Sequence, residues 1–267
     1  MARHTGVVRL LYRVPMRLTV LGGCGAWPTA TQPCSGYLVD YESFRLLIDP
    51  GYATFPRLLA LGTAAEEVDA VLVSHGHPDH CADLNPLLRA RQLGASPPPP
   101  LPVHAPRGAL ETVLALDKRS MLGSAYALHE FWPGGGDFDV GPFRVTTRLL
   151  PHFVPNAGLR LTAPDGRVLT YTGDTGPSPE IPDLARESDL LLSEATYVHR
   201  VPDPTDAPYL LTAQLAGQYA AQAGARELLL THLWPGTEPG SARTAAGEGY
   251  CGGIGVATPG LTVPVLR

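Results

Sequence analysis

A single lysine, Lys118, stands among the 20 basic residues of this 267-residue chain. We read that skew as coding bias, not chemistry. No Lys/Arg-rich block marks a nucleic-acid surface, and the formal net charge is −5, the wrong sign for gathering a polyanion. Cysteine is sparse. Cys24, Cys34, Cys81 and Cys251 form no CxxC pair and no regular framework, so reduced thiols in a cytoplasmic protein are expected rather than a disulfide scaffold. No apolar run approaches the roughly 20 residues that cross a bilayer. The opening MARHTGVVRLLYRVP has scattered arginines and no long apolar stretch, which makes it a poor secretion signal. Internal repeats with a period of about 20–50 residues are absent as well.

What is present is a hydrophobic content of 44%, ample for a sizeable core. Residues 1–15 are expected to be an N-terminal extension without fixed structure. Residues 16–267 are expected to form one domain, with Met16 an alternative translation start because MRLTVLGG opens a clean strand there. Strand-like runs recur at 18–21, 36–39, 44–48, 68–73, 143–150, 159–162, 168–171, 189–192 and 227–231. Helix-like segments fall at 55–61, 82–93, 108–116, 181–186 and 212–224, the last ending on Gly224 as a natural cap. Strands come first in pairs and later alternate with helices, which predicts an α/β arrangement of layered sheets covered by helices. The segments 96–100 (SPPPP) and 134–136 (GGG) read as loops, not domain boundaries.

The densest chemistry is SHGHPDH, Ser74 to His80, directly after the apolar Val71–Val73. His75 closes a strand, His77 lies in the turn, and Asp79 and His80 lead into a helix. A strand–loop–helix turn lets all four side chains converge, whereas a continuous helix would spread them over several faces. Pro78 favours an extended Gly76–His77 segment and delays the helix. Neutral imidazoles with a carboxylate suit a borderline divalent metal. Three more ligand-type residues end apolar runs: His152 after Leu149-Leu-Pro, Asp174 in Tyr171-Thr-Gly-Asp174-Thr, and His232 after Leu228-Leu-Leu-Thr. Each is offered by a rigid strand into a loop, as a preorganised site requires. His4, His104 and His129 read as ordinary core or surface histidines.

HGHPDH, His152, YTGDT and LLLTHLWP occur in the order and spacing of the metallo-β-lactamase superfamily. LGGCGAWPTATQPCSGYLVDY and LLIDPG resemble its ribonuclease Z-type branch, which includes small cyclic phosphodiesterases. The resemblance covers roughly residues 16–258. It implies an αββα sandwich with a dinuclear site at one edge of the two sheets. In that site His75, His77 and His152 would bind one ion, Asp79, His80 and His232 the other, and Asp174 would bridge them. Asp49 matches a family aspartate that orients the ligands, although a turn-forming Asp-Pro-Gly explains the same residues. Two divalent ions are implied, zinc first, with manganese or iron as alternatives. Such a pair lowers the pKa of a bridging water and neutralises charge on an attacked phosphoryl group. Asp79 and Glu194 are the expected catalytic carboxylates.

The resemblance breaks at one place. The branch pairs a glutamate in E-A-[TS] with a histidine in a later H-[LS]-[ST]. Glu194-Ala-Thr196 keeps the first element, but Leu210 stands where that histidine would be, and leucine cannot donate a proton. His199 is the nearest substitute donor in the sequence. Only 153–173 separates His152 from Asp174, too short for the basic arm of long-armed relatives, which disfavours tRNA 3′ maturation as by a ribonuclease Z. The leading expectation is a phosphodiesterase acting on small, including cyclic, phosphodiesters or nucleotides. Alternatives are a thioester or lactone hydrolase and a metal-binding protein with little catalysis. Arg160 and the loop Gly22–Gly25 are candidate phosphate contacts. The partners expected are a small ester and a second copy of the chain, as this branch commonly dimerises; no membrane is expected.

Overall fold

The computed structural model describes residues 16–267, so the expected N-terminal extension lies outside the described residues. The first half of the chain builds one sheet from β1 (Met16–Gly22), β2 (Gly36–Tyr41), β3 (Phe44–Ile48), β4 (Ala70–Leu72), β5 (Leu101–Pro106) and β6 (Tyr126–Phe131). The second half builds another from β7 (Gly136–Val140), β8 (Phe143–Leu150), β9 (Asn156–Thr162), β10 (Val168–Tyr171), β11 (Leu190–Glu194), β12 (Glu227–Thr231) and β13 (Gly253–Val256). The last strand, β14 (Thr262–Pro264), crosses back to pair with β1, so each sheet has seven strands.

Helices cover the outer faces: α1 (Thr54–Ala60), α2 (Pro78–Cys81), α3 (Leu84–Leu93), α4 (Glu111–Leu114) and α5 (Arg119–Leu122) come from the first half. The second half supplies α6 (Glu180–Leu184), α7 (Ala213–Ala223) and α8 (Pro239–Gly247). The layering follows from where apolar residues point. Leu46 and Ile48 of β3 face the space between the sheets while Leu47 faces the helices; in β12, Leu229 points inward and Leu228 and Leu230 outward. Strands buried on both faces read as unbroken apolar runs, which is why LLL and VLV do not alternate with polar residues. Shortening a side chain such as Leu159, buried between the sheets, would cost about 2–5 kcal/mol.

The helices begin and end where their chemistry dictates. His77, extended at φ −68° and ψ 143°, caps α2, and Pro78 takes its first position, where a missing N–H costs nothing. Thr212 accepts the amide of Leu215 at the start of α7, and Gly224, left-handed at φ 64°, ends it. The expected 68–73 strand is regular only over β4, and the 108–116 helix only over α4. β5 and β6 were not expected: β5 contains two prolines, and β6 is a half-exposed edge strand with little apolar pattern. α8, Pro- and Gly-bearing, is recognisable only by Ala242, Ala245 and Ala246 packed against the core.

The sheets are oriented so that β3, β4, β8, β10, β11 and β12 end at one edge of the sandwich. β3 runs parallel to β4, and β10, β11 and β12 are mutually parallel. Ligand sites of α/β sheets gather beyond such carboxyl ends. Hydrogen bonds clamp the sheets together there, with the Ala157 amide donating to the Ser74 carbonyl at 3.0 Å and Tyr37 bonded to Thr231 through their hydroxyls at 2.6 Å.

Candidate metal centre

Each ligand-type residue found in the sequence follows one of these strand ends. Asp49 follows β3, His75 follows β4, His152 follows β8, Asp174 follows β10 and His232 follows β12. His77, Asp79 and His80 belong to the turn and first residues of α2. The structure brings all seven proposed ligands together. His75, His77, His152 and Asp174 form one group and Asp79, His80, Asp174 and His232 another, each with one ligand atom per residue within 4.8 Å of the others. Asp174 belongs to both. Its Oδ1 lies 3.2 Å from His80 Nε2, and its Oδ2 lies 3.1 Å from His232 Nε2 and 3.7 Å from His152 Nε2. In the first group, His77 Nδ1 is 3.1 Å from His75 Nε2 and 3.0 Å from His152 Nε2.

The groups behind the ligands decide which ring nitrogen carries a proton. Ser74 Oγ donates to Asp49 Oδ2 at 2.6 Å, so toward His75 Nδ1, 3.0 Å away, it can only accept. Thr196 repeats the arrangement in the other sheet: Oγ1 donates to Glu194 Oε1 at 2.5 Å and accepts from His232 Nδ1 at 3.0 Å. His80 Nδ1 donates to Asp49 Oδ2 at 2.8 Å, and His152 Nδ1 donates to the Tyr209 carbonyl at 3.0 Å. All four rings are thereby held by Nδ1 with Nε2 turned to the centre, the pattern by which proteins orient metal-binding histidines.

Asp49 is therefore more than a turn residue. Buried at φ 48°, it accepts from the Ser74 amide at 2.7 Å, from the Ser74 hydroxyl, from His80 and from the Tyr171 hydroxyl at 2.9 Å. The Tyr171 bond ties the second sheet to the first. Asp79 Oδ2 accepts the Ala26 amide at 2.9 Å, and Gly25 packs so closely that a Cβ there would lie 2.9 Å from the His232 ring. The glycine loop thus permits close approach to His232.

Electrostatics mark the same centre. Burial pushes the His75, His77 and His152 imidazoles below their ordinary value, favouring the neutral, metal-binding form. Burial acts the same way on His80 and His232, but nearby Asp174 and Asp79 outweigh it and hold both above the ordinary value. Asp174 is held well below the carboxylate range despite burial, by His232 and His80. Burial, followed by the charge of Asp174, lifts Glu194 to about 8.

The residues fit a divalent metal pair. His80 Nε2 and Asp174 Oδ1, although 3.2 Å apart, are not aligned for a hydrogen bond and are buried without any other partner, and in the first group three ring nitrogens crowd together with at most one proton to share among them. Buried polar atoms are seldom left in this state, and cations resolve it; imidazole with carboxylate is a donor set for zinc-like ions.

The family model for the Beta-lactamase superfamily domain matches residues 44–233. The chain belongs to the metallo-β-lactamase superfamily. Within this superfamily it is 34% identical over 223 residues to the Probable metallo-hydrolase YhfI of Bacillus subtilis, covering 82% of this chain and 87% of that one. It is 30% identical over 289 residues to Ribonuclease Z of Kineococcus radiotolerans, covering 90% and 91%. The crystal structure of Bacillus subtilis YhfI superimposes with a TM-score of 0.82 at 30% identity, covering 93% of this chain and 98% of that one. The human short-form tRNase Z superimposes with a TM-score of 0.78 at 23% identity, covering 94% and 100%, and so shares the fold. The chain is a metallo-hydrolase of the ribonuclease Z-like branch. No helix among the described residues is long and apolar enough to cross a membrane.

Other expected contacts fall elsewhere. His199 is exposed and its Nε2 lies 3.1 Å from Glu248, so it is a surface pair and not the substitute donor. Arg160 donates to the carbonyls of Leu184 and Arg186, bracing the loop after α6 instead of awaiting a phosphate. His104 and His129 stack on each other across β5 and β6 at 4.8 Å. Glu194 is buried, with one oxygen on the Thr175 amide and the other on Thr196 and on the Leu211 amide at 3.3 Å. Ser74, Tyr171, Thr196 and the Tyr209 carbonyl were missed as site groups, although Ser74, Tyr171 and Thr196 sit inside the quoted motifs.

Proposed function

We propose that the protein is a dinuclear phosphodiesterase of small phosphodiesters, nucleotides among them. His75, His77 and His152 would hold one ion, Asp79, His80 and His232 the other, and Asp174 both, with zinc favoured by the histidine-rich set. The observation that carries the reading is the orientation of four rings, each held by Nδ1 with Nε2 inward, around a carboxylate shared by two ligand groups. When bound, such an ion pair supplies Lewis acidity for hydrolysis of a phosphoryl or acyl bond. The chain's part is positioning. Asp49 and Glu194, through Ser74 and Thr196, hold His75 and His232; the Ala26 amide holds Asp79 at one carboxylate oxygen. We assign Glu194 to that positioning role because both its oxygens are occupied. Asp79 remains the proposed acidic group nearest the reacting atoms.

Several observations support a small substrate. Between His152 and Asp174 the chain makes only β9 and β10 with their turns, with no arm to grip a long polyanion. The curated ribonucleases Z that resemble the chain leave nucleic acid as the rival substrate. Leu210 favours a second class, thioesters or lactones, whose leaving groups need little acid assistance. One core between the two sheets supports treating 16–267 as a single domain. Buried, unpaired Cys24, Cys34 and Cys81 favour a reducing, cytoplasmic setting, and dimerisation is proposed from the branch resemblance alone.

The test is turnover of bis(p-nitrophenyl) phosphate by metal-loaded protein beside Asp174→Ala. Activity that vanishes in the variant, with the fold retained by circular dichroism, supports the reading. No turnover by a wild type shown to contain metal sinks it and moves weight to acyl substrates.

A further inference from the structure

The rim of the centre is aromatic where a polyanion-binding surface would be basic. Trp27 follows Ala26, whose amide holds Asp79, and is 48% exposed. It meets Trp234 in a T-shaped contact, with centroids 5.1 Å apart at 83°, so that partner covers at most one of its indole faces. Trp234 lies two residues beyond His232 and is stacked on Tyr197, the residue after Thr196, at 5.5 Å and 22°. Beside the other ligand group, exposed Phe153 follows His152 and packs on exposed Tyr209 at 4.9 Å. The Tyr209 carbonyl accepts from His152, and the next residue but one, Leu211, donates its amide to Glu194. Leu210, half-buried, lies between these two backbone contacts.

Large aromatic faces left in water beside a polar centre are a liability unless something covers them. A flat π-system is the occupant whose shape and chemistry match: it stacks on indole, tolerates Leu210, and needs no arginine. We propose that Trp27, supported by Trp234, is a stacking subsite for a nucleobase or similar planar ring, so that ring-bearing phosphodiesters are preferred over base-less sugar phosphates. The proposal rests on the phosphodiesterase reading for its phosphoryl group, and commits to a mononucleotide-sized ligand. Trp27 is a specificity residue here and takes no part in breaking the bond.

Binding is measured apart from turnover, so that the two readings fail separately. Calorimetric titration of metal-loaded protein with AMP and with ribose 5-phosphate isolates the ring, because the two share the phosphate and the sugar. Wild type should bind AMP roughly tenfold or more tightly than ribose 5-phosphate, within the range of one base–aromatic stack. Trp27→Ala should shrink that ratio to within about twofold, and Trp27→Phe should restore most of it. Equal affinities in wild type, or a Trp27→Ala variant that weakens both ligands alike, overturn the subsite. A ring preference seen only with a short single-stranded oligoribonucleotide overturns the mononucleotide form. Intact ring preference without hydrolysis of any phosphodiester would instead leave the subsite standing and remove the phosphodiesterase reading.

Discussion

Thr196 holds His232 in the way Ser74 holds His75. In each pair a hydroxyl oxygen lies 3.0 Å from Nδ1 and donates its own hydrogen bond to a buried acidic side chain, Glu194 or Asp49. The two relays come from different sheets and serve different ligand groups, so they can be broken one at a time.

Thr196→Val keeps the shape of the side chain and removes the acceptor. His232 then loses its orienting bond, and affinity for one ion of the pair should fall about 10–100-fold. Metal content measured along a chelator titration should show one equivalent released early in Thr196→Val, and one in Ser74→Ala. Simultaneous loss of both ions in either variant would contradict two separately supported groups.

Leu210→His restores a proton donor between the Tyr209 carbonyl and the Leu211 amide. A general acid helps a poor leaving group far more than a good one. The variant should therefore raise kcat for an alkyl phosphodiester about tenfold or more, with little change for a p-nitrophenyl ester. The same gain for both esters would place residue 210 away from the leaving group.

Gly25→Ala tests close packing on the ligand. The added methyl would lie 2.9 Å from His232 Cε1 and 3.0 Å from Nδ1, forcing the loop or the ring to move. A loss of about 1–3 kcal/mol is expected, read by denaturant unfolding, together with weaker metal retention. Unchanged retention in a folded variant would show that the loop yields without moving His232.

His104 supplies a pH signature remote from the metal centre. Burial, then the neighbouring His129, pushes its imidazole from 6.5 down to about 4. Between these values the unfolded chain takes up a proton that the folded chain refuses. Its contribution to stability is therefore complete above pH 6.5 and is lost as pH falls toward 4. Phe at this position can stack on Phe138, whose ring lies nearly parallel to that of His104 at 9° and 5.7 Å. The Tm of His104→Phe relative to wild type should thus be higher at pH 5 than at pH 7. A difference independent of pH would argue against a depressed His104.

Much of the centre was legible because its ligands are local signals at strand ends. His75 to His80 lie within one turn, and Pro78 with the apolar run before Ser74 dictates a strand, an extended turn and a helix start from nearest-neighbour sterics alone. Apolar runs such as Leu228–Leu230 likewise announced strands buried on both faces. Other features depend on which residues become neighbours across the sandwich. Asp49 could be a turn or a support for His80 until β3 and β10 were placed so that Tyr171 reached it. His199 was near Glu194 in sequence, yet the chain carries it out to Glu248, while Leu211, seventeen positions from Glu194, returns to it. β5 and β6 carry weak propensity and form because the sheet extends over them.

The sequence by itself determined the ligand types, their order and the strand ends that present them, since these follow from composition and short-range backbone preference. Only the tertiary structure decided which hydroxyl, carboxylate or carbonyl holds each ring's Nδ1, that Glu194 lies behind Thr196, and that aromatic side chains from separate loops gather around the centre. Those relations arise from long-range packing and burial, for which the linear chain carries no distance information.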